Sequence, residues 1–546
     1  MIIGIYGIQD IKLSDFPEFV HDHAIAVFEG GKCRHFMQLE RFTGKKYDNR
    51  MHEYLYPLMR EMKLAGNHDA EVVFTDNVIG RSFISFDGDI RFEAPLGNSL
   101  AEWPEEGLLR WYGKEKKGYI VNHELAHIFS CMLFFGDFKD KSLLVHFDGG
   151  ASKGNFSVWI YKDGKPKLIE TSWRLKYLSN LFNANALTFS LAGGSRENQN
   201  AVPGKFMGLA AYGKYSPELE IWLKENRFFE GIWTNKKHFF ESLKKQWGIT
   251  LGAIDNRNSF MQDIAATFQY IFERDFMEVL SQLKTHYDVD YLYYTGGSAL
   301  NIPLNARIVE SRLFKDVFIP PCTNDSGLAL GAAAFFQYHK NIPILPHSPF
   351  LNSLNVPEKY SYTAGDVKQT ASLLAEGKII GVCNGHSETG PRALGNRSIL
   401  CRADSAGLAK KLSMQIKGRE WYRPLAPIML VKNARYFTGL TNIHHLSQYM
   451  LLEFFIPELH RGELSGAVHI NNTARIQTVF EKEPIPFIYD LLVYLDEHYG
   501  IKALINTSFN VQGKPIIHYP KTAVNDAKTM GLDGVVINGR IIAFDS

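Results

Sequence analysis

The chain has 546 residues, too many for one hydrophobic core, and its length therefore predicts two to four domains. Its 45% apolar and 22% charged residues are typical of a globular protein, and 60 Lys and Arg against 58 Asp and Glu favour neither a nucleic-acid nor a membrane partner. The five cysteines lack CxxC spacing, and the first residues lack a signal-peptide pattern, so we expect a cytoplasmic protein.

The first part of the chain predicts a meander of short strands followed by helical sequence. Residues 2–7 and 24–28 are apolar strands, and Gly30–Gly31 turns the second strand into a third. The pattern returns downstream, where the apolar run 143–147 precedes a strand pair joined by Asp163–Gly164. Two such units separated by helical sequence predict a duplicated lobe.

The following segment predicts an α/β core. Apolar residues recur at helical spacing from about 255 to 285, and a buried strand then leads into the Gly296–Gly297 turn. After a further strand, DVFIPP, an Ala/Gly-rich helix begins near Asp325. Strands that end in glycine turns or acids before a helix are typical of a nucleotide-binding sheet, with ligands at the carboxyl ends of its strands.

The segment VNHELAHIFS, residues 121–130, places His123 and His127 one helical turn apart, as a metal clamp requires. The same letters match a zinc peptidase in which Glu124 is the general base. That interpretation fails because the first glutamate after His127 is Glu170, well beyond the position about twenty residues on where such a peptidase has its third ligand. For an isolated HxxxH, a helix in the core is the commoner explanation.

Two acids change that balance in favour of a metal or phosphate site. Asp148 ends an apolar strand and directly precedes Gly149–Gly150, which is the usual layout of such a site. Asp325 stands at the start of the Ala/Gly-rich helix. The sequence therefore predicts that the two histidines and these two acids act together.

The proline-bearing segment 341–359 is typical of a linker, and the chain changes character beyond it. Apolar strands then alternate with turns that carry basic and hydroxyl side chains. For any one of these cations, an exposed surface position is the commoner explanation. Together they predict a site for a polyanionic small molecule such as ATP or an acyl phosphate. The cations are Arg392, Arg397, Lys417, Arg419, Arg423 and Arg475.

Ten segments run in order over nearly the whole chain: HDHAIAVFEGG, QLERFTGKK, HELAH, FMGLAAYG, TGGSALNIPLN, NDSGLALGAA, GPRALGNRSIL, REWYRPLAP, TARIQTV and NTSFNVQGKPI. Together they resemble the O-carbamoyltransferase family of nodulation-factor and antibiotic biosynthesis. GPRALGNRS combined with NTSFNV is specific to that family. TGGSALN is less so, since sugar-kinase-like and tRNA-threonylcarbamoyl transferase proteins share it.

The resemblance implies an α/β protein of two parts. Residues 1–345 would form a two-lobed domain of the actin/sugar-kinase type, similar to the tRNA-threonylcarbamoyl transferase, and residues 360–546 a YrdC-like domain. The second domain would make carbamoyladenylate from carbamoyl phosphate and ATP with magnesium, and the first would transfer the carbamoyl group to a hydroxyl of a small-molecule acceptor. We expect no nucleic-acid or membrane partner, with a homodimer as a potential assembly.

The resemblance also implies three sets of site residues. The metal ligands would be His123, His127, Asp148 and Asp325. Such a set of imidazoles and carboxylates leaves iron and zinc both open. The turns that approach the nucleotide or the carbamoyladenylate would be Gly149, Gly150, Gly296, Gly297 and Asn301. The contacts to carbamoyl phosphate and ATP would be Lys417, Arg419, Arg423, Arg475, Ser508 and Asn510. The catalytic base is unknown.

The sequence departs from the family pattern in three places. The segment between the first strand and His21 is longer than expected and Tyr47 replaces a usual histidine, and these two departures bear mainly on the acceptor. Asn471 replaces a usual aspartate. Two alternatives stay open: a tRNA-threonylcarbamoyl transferase fused to a YrdC-like domain, and a non-catalytic nucleotide- or sugar-binding regulator. The neutral charge and GPRALGNRS disfavour the first. The presence of both a metal set and a cation set disfavours the second.

Overall fold

The structure is a computed structural model that describes residues 1–8, 20–95, 101–182, 200–230, 236–250 and 255–544. The segment before His21, expected to be unusually long, lies largely outside these residues. Helices and mixed sheets alternate along the chain, which confirms the predicted α/β class. Among the described helices, none combines the length and the apolar composition needed to cross a membrane.

The first sheet is built from β1 Ile2–Tyr6, β2 Ala24–Glu29, β3 Lys32–Gln38, β4 Glu71–Thr75, β5 Phe83–Ile84, β6 Ile90–Glu93, β7 Glu105–Trp111 and β8 Lys114–Val121. Their order is β3-β2-β1-β4-β8-β7-β6-β5. β1 pairs antiparallel with β2 and parallel with β4, which pairs parallel with β8. Gly30 and Gly31, both at positive φ, close the predicted β2–β3 hairpin.

The second sheet is built from β9 Ser142–Phe147, β10 Phe156–Lys162, β11 Lys165–Ser172, β12 Tyr291–Thr295 and β13 Asp316–Phe318. Their order is β11-β10-β9-β12-β13. β9 pairs antiparallel with β10 and parallel with β12, and β12 pairs parallel with β13. The order and relative orientation of these five strands thus repeat those of β3-β2-β1-β4-β8 in the first sheet, as expected for a duplicated lobe.

The described helices of this part are α1 Leu39–Thr43, α2 Met51–Glu61, α3 His123–Phe129, α4 Met132–Phe135, α5 Lys176–Phe182, α6 Val202–Ala210, α7 Pro217–Glu225, α8 Lys236–Trp247, α9 Ser259–Tyr287, α10 Ile302–Glu310 and α11 Leu328–His339. α9 is the long helix predicted for about 255 to 285. α11 packs on β1, β2 and β4, while α3 packs on α11, β9 and β12. At the crossing of α3 and α11, a side chain at Gly331 would overlap the Ala126 carbonyl.

The third sheet comes from β14 Ile380–Cys383, β15 Arg397–Arg402, β16 Ala426–Leu430, β19 Gln477–Val479, β20 Leu504–Ser508, β21 Gly534–Ile537 and β22 Arg540–Ala543. Its order is β19-β16-β20-β15-β14-β21-β22, and β17 Phe454–Phe455 with β18 Thr473–Ala474 forms a separate ribbon. The helices are α12 Ala364–Ala375, α13 Ala406–Lys410, α14 Val431–Thr438, α15 Glu458–Arg461, α16 Pro486–Tyr499 and α17 Pro520–Thr529. The YrdC-like type and the domain limits stay predictions.

The segment 341–359, predicted as a linker, is an ordered connection between the first sheet and the third. Asn352 is fully buried. Its Oδ1 accepts from the Gln38 backbone at 2.9 Å, and its Nδ2 donates to Gln38 Oε1 at 2.9 Å and to the Glu388 carbonyl at 2.8 Å. Its backbone also pairs with Ser387. The sequence did not reveal this connection because its buried residues, which include Phe350, Leu351 and Leu354 as well as Asn352, belong to no helix or strand.

Candidate active site

The two histidines of the HxxxH segment converge as predicted. Asn122 caps α3 by accepting the backbone N–H of Leu125 at 2.8 Å, which starts the helix directly before His123. The Nε2 atoms of His123 and His127 lie 3.1 Å apart, and both rings are buried. Their Nδ1 atoms have no partner among the described residues. Two ring nitrogens aimed at one point are arranged as ligands of a common ion.

The two predicted carboxylates approach the same point. Asp325 Oδ1 lies 3.6 Å from His123 Nε2 and 3.4 Å from His127 Nε2, and Asp148 Oδ2 lies 3.6 Å from His127 Nε2. Tyr6, on β1, donates its hydroxyl to Asp325 Oδ2 at 2.8 Å. The structure therefore brings together all four predicted metal ligands, and Tyr6 orients one of them.

The sequence analysis missed a third histidine, His146, at this site. Its ring stacks on that of His127 with the centroids 5.1 Å apart, and neither ring nitrogen has a partner among the described residues. The ligand atoms of His123, His127, His146 and Asp148 all lie within 4.8 Å of one another. Alternation along β9 places His146 and Asp148 on one face, so the H-x-D spacing was an available signal.

We call this group of five side chains the histidine cluster: His123, His127, His146, Asp148 and Asp325. The electrostatics of the histidine cluster fit a bound cation. Burial alone would lower the pKa of His123, but Asp325 and the neighbouring carboxylates raise it to about 9. Burial, and then the two other histidines, hold the pKa of His146 well below its usual value, which keeps its ring neutral and able to bind a metal. Imidazole and carboxylate ligands suit zinc and iron alike, and the geometry does not choose between them.

The predicted glycine turns surround Asp148. Asp148 Oδ1 accepts the Gly149 N–H at 2.5 Å, and its Oδ2 accepts the Gly297 N–H at 2.7 Å. Gly296 has φ of 96°, and a side chain there would overlap the Phe147 carbonyl. Two N–H groups that we expected to approach a phosphate thus hold Asp148, a predicted metal ligand, in place, and a phosphate contact would require them to exchange partners.

Asn301 and Glu124 also have structural partners. Asn301 Oδ1 caps α10 by accepting the Leu304 N–H at 3.1 Å, and its amide also exchanges hydrogen bonds with Gln269. A nucleotide contact by Asn301 would have to replace these bonds. Glu124 is fully buried, and its Oε1 accepts the Lys153 N–H at 2.8 Å. Glu124 therefore orders the loop after Asp148, consistent with our rejection of the peptidase interpretation.

Four arginines of the third-sheet region form a second cluster, which we call the arginine cluster: Arg392, Arg419, Arg423 and Arg475. Arg423 contacts Glu420 at 3.4 Å, whereas the other three guanidinium groups lack a hydrogen-bond or ion-pair partner among the described residues. Burial and mutual repulsion lower the pKa of Arg392 to about 10 and that of Arg419 to about 9, and hold that of Arg475 well below its usual value. Uncompensated cations on half-buried side chains indicate an anion-binding site.

The other predicted contacts of this site are already hydrogen-bonded. The Lys417 amine donates to the carbonyls of Ser508 and Asn510 at 2.7 and 2.6 Å and to Asn510 Oδ1 at 2.7 Å. Ser508 Oγ donates to Asn510 Oδ1 at 2.6 Å. The three predicted residues therefore do lie together. All three protons of the amine are used, so Lys417 acts here as a brace for the turn after β20.

Arg397 does not belong to the arginine cluster, which corrects our grouping of the cations. It is fully buried, and its Nε and Nη2 both donate to the His518 carbonyl, at 3.1 and 2.7 Å. Its Nη1 donates to the carbonyls of Asn384 and Asn396 at 2.6 and 2.9 Å, and Nη2 also donates to Gly385 at 2.9 Å. Since every one of its donors is aimed at backbone, Arg397 has a structural role.

Lys46 and Tyr47, which follow α1 by a few residues, contact each other and His21. Tyr47 meets the ring of His21 edge-on at a centroid distance of 6.1 Å, and the Lys46 amine lies 4.8 Å from the Tyr47 ring centre. Burial lowers the pKa of Lys46, and Arg423 lowers it further against the opposing effect of Glu40. Tyr47, one of the departures from the family pattern, therefore lies beside His21 and Lys46.

Matches to known families assign the protein that carries these two clusters to a class. The carbamoyltransferase N-terminus family matches residues 108–334, and the carbamoyltransferase C-terminus family matches residues 371–543. The chain is therefore a transferase of carbamoyl groups. More narrowly, it belongs to the O-carbamoyltransferase family that includes the nodulation proteins and the cephem enzyme described next.

Two relatives illustrate that family. Nodulation protein NolNO of Sinorhizobium fredii is 27% identical over 99% of this chain and 81% of its own length. The 3'-hydroxymethylcephem-O-carbamoyltransferase of Streptomyces clavuligerus is 28% identical over 75% of this chain and 77% of its own length. Among solved structures, full-length HypF in the phosphate- and nucleotide-bound form has 14% identity and a TM-score of 0.31 over 61% of this chain and 55% of its own, too low to support an argument.

Proposed function

We propose that the protein is an ATP-dependent O-carbamoyltransferase that activates a carbamoyl group in its C-terminal part and transfers it to a hydroxyl in its N-terminal part. The main observation in support of this function is that the protein has two clusters of different chemistry, one rich in histidine and carboxylate and one rich in arginine. The repeated order of the first two sheets supports an N-terminal domain of the actin/sugar-kinase type. A YrdC-like C-terminal domain is part of the proposal.

The activation step uses the arginine cluster. Carbamoyl phosphate and ATP, with magnesium, would bind where the guanidinium groups lack internal partners, and their phosphates would compensate the charge. Water cleaves carbamoyl phosphate to carbamate and inorganic phosphate, and a carbamate oxygen then forms a bond to the α-phosphorus of ATP as pyrophosphate leaves. The product is carbamoyladenylate. Fixed cations around the transferring groups align them and stabilise the charge that develops.

The transfer step takes place at the histidine cluster. The residues that would hold a divalent zinc or iron ion are His123, His127, Asp148 and Asp325, with His146 as a further ligand. Such an ion supplies Lewis-acid polarisation of a carbonyl and compensation of phosphate charge. Gly297 and Tyr6 keep the two carboxylates oriented. The acceptor oxygen bonds to the carbamoyl carbon, and the bond from that carbon to the adenylate oxygen breaks, so AMP leaves.

The intermediate must travel between the two clusters without meeting water, because acyl adenylates hydrolyse readily. We place Lys46 and Tyr47 along that route, because Arg423 acts on the charge of Lys46 and the ring of Tyr47 contacts His21. A cationic side chain along the route would attract the phosphate of the adenylate, which favours transfer through an enclosed passage over release to solvent.

The proposal is tested by incubating the protein with carbamoyl phosphate, magnesium ATP and a panel of hydroxylated metabolites, and by analysing the products with mass spectrometry. We expect carbamoylated acceptor and AMP in equal amounts, with pyrophosphate and phosphate release preceding them. The matched control is the deoxy analogue of a carbamoylated panel member, which lacks the acceptor hydroxyl. Product that appears without ATP, or carbamoylation only of a tRNA substrate in a parallel reaction, would overturn the proposal.

A further inference from the structure

A second group of metal-type side chains lies outside both clusters. Asp316 at the start of β13 faces His444 and His445, which lie more than a hundred residues further along the chain. Asp316 Oδ1 is 3.1 Å from His444 Nε2 and 3.2 Å from His445 Nε2. The three ligand atoms all lie within 4.8 Å of one another. Neither the family matches nor the proposed reaction gives these residues a role.

Adjacent residues seldom point the same way, so the convergence of the two rings has a local cause. His444 is extended, with φ of −66° and ψ of 140°, and caps a 3-10 turn that begins at His445. The two rings consequently stack, with centroids 4.4 Å apart and planes at 28°. Phe318 stacks on the other side of His445 at 5.4 Å, and Phe135 meets its edge at 5.7 Å. Aromatic packing therefore fixes the direction of the His445 Nε2 atom.

Two separations between these atoms fit a tetrahedral zinc site. Ligand atoms at about 2.0 to 2.1 Å from a common ion are about 3.3 Å apart, close to the separations of 3.1 and 3.2 Å observed here. We propose that Asp316, His444 and His445 bind a divalent zinc-type ion. The three side chains are between 19% and 31% exposed, so water can complete the coordination.

Binding would change the tautomer of each histidine ring. The proton that now points from Nε2 at Asp316 would move to Nδ1 of the same ring, because a metal ligand needs a free lone pair. His444 Nδ1 would also give up a long contact of 3.3 Å in which it accepts the Leu446 N–H. Without an ion, the same three side chains form a hydrogen-bonded clasp, and the experiment must separate these two states.

The position indicates a structural role for the ion. β13 is the edge strand of the second sheet, and the residues after His445 lead to Leu451, whose carbonyl accepts from Asn305 Nδ2 at 3.2 Å. Asn305 lies on α10, in the same lobe as β13. An ion held here would brace the contact between the second lobe and the C-terminal part.

The test counts zinc bound by the metal-stripped full-length protein, using competition with a chromophoric chelator, in wild type and in His445→Gln. His498→Gln is the matched control, since His498 is an exposed histidine whose contacts with the described residues are to the carbonyl and the ring of Tyr494 on its own helix. We expect His445→Gln to bind one equivalent less than wild type, or to bind that equivalent at least tenfold more weakly. We expect no change in His498→Gln. Cobalt(II) should give visible absorption bands that are weaker in His445→Gln by one site.

A zinc count and a zinc affinity in His445→Gln that both equal those of wild type would overturn the proposal in favour of the clasp, as would an equal loss in His498→Gln. Circular dichroism checks the fold of each variant, and His444→Gln replaces His445→Gln if the latter is unfolded. The readout is the difference between variants, so it is independent of the histidine cluster and of carbamoyl transfer.

Discussion

Replacement of Arg475 by methionine should have opposite effects on activity and on stability. Methionine keeps much of the length and apolar contact of the side chain and removes its charge. Arg475 Nε has no partner among the described residues, and burial together with Arg392 and Arg419 holds the pKa of Arg475 well below its usual value. The ligand-free protein therefore contains a cation whose charge is unfavourable until an anion binds.

The sizes of the effects of Arg475→Met on activity and on stability follow from the surroundings of Arg475. Loss of one phosphate contact in a water-excluded site costs about 3 kcal/mol of transition-state stabilisation, or about a hundredfold in the rate of pyrophosphate release. Relief of repulsion from the neighbouring arginines should raise the free energy of unfolding of the ligand-free protein by about 1 kcal/mol, after allowance for screening by solvent.

Arg397→Met is the matched control. Its guanidinium donates five hydrogen bonds to four backbone carbonyls, so its loss leaves buried acceptors unpaired. We expect Arg397→Met to lower the free energy of unfolding by about 3 to 5 kcal/mol.

The assays are steady-state pyrophosphate release and denaturant unfolding of the ligand-free variants. The reasoning is refuted if Arg475→Met is destabilised as much as Arg397→Met. It is also refuted if Arg475→Met keeps pyrophosphate release within about threefold of wild type, well short of the loss of a phosphate contact.

Four further variants test other parts of the structure. His123→Ala should lose acceptor carbamoylation but keep pyrophosphate release, and joint loss of both in a folded variant would contradict two separate sites. Glu124→Gln should keep carbamoylation within about threefold, because an amide oxygen can still accept the Lys153 N–H, whereas a metallopeptidase would lose its base. Asn352→Ala should lower the free energy of unfolding by about 2 kcal/mol, measured with denaturant, since it removes three hydrogen bonds between two sheets. Burial, opposed by a Thr473 hydrogen bond and reinforced by nearby acids, raises the pKa of Glu453 from 4.5 to about 7. The folded state therefore holds a proton that the unfolded state releases, and stability should fall as pH rises from about 4.5 to about 7. Glu453→Gln should flatten that slope in unfolding curves, and an unchanged slope would contradict the assignment.

Local features of the structure could be predicted from the sequence. The HxxxH spacing put His123 and His127 on one face of α3, because helical periodicity depends only on neighbouring residues. The Gly30–Gly31 hairpin followed from the positive φ that glycine tolerates. Asp148 at the end of β9 was also evident, and the ordered motifs identified the family.

The roles of individual side chains were decided by the tertiary structure. Arg397 and Arg475 occur in similar basic stretches of the sequence, yet only Arg397 meets backbone carbonyls, which come from segments as distant as His518. His146 joins the histidine cluster only because α3 packs on β9. Tyr6 and Asp325 are 319 positions apart and still form a hydrogen bond. Local pattern encodes which way a side chain faces along its own helix or strand, whereas its partners depend on how distant segments pack, and no neighbouring residue specifies that.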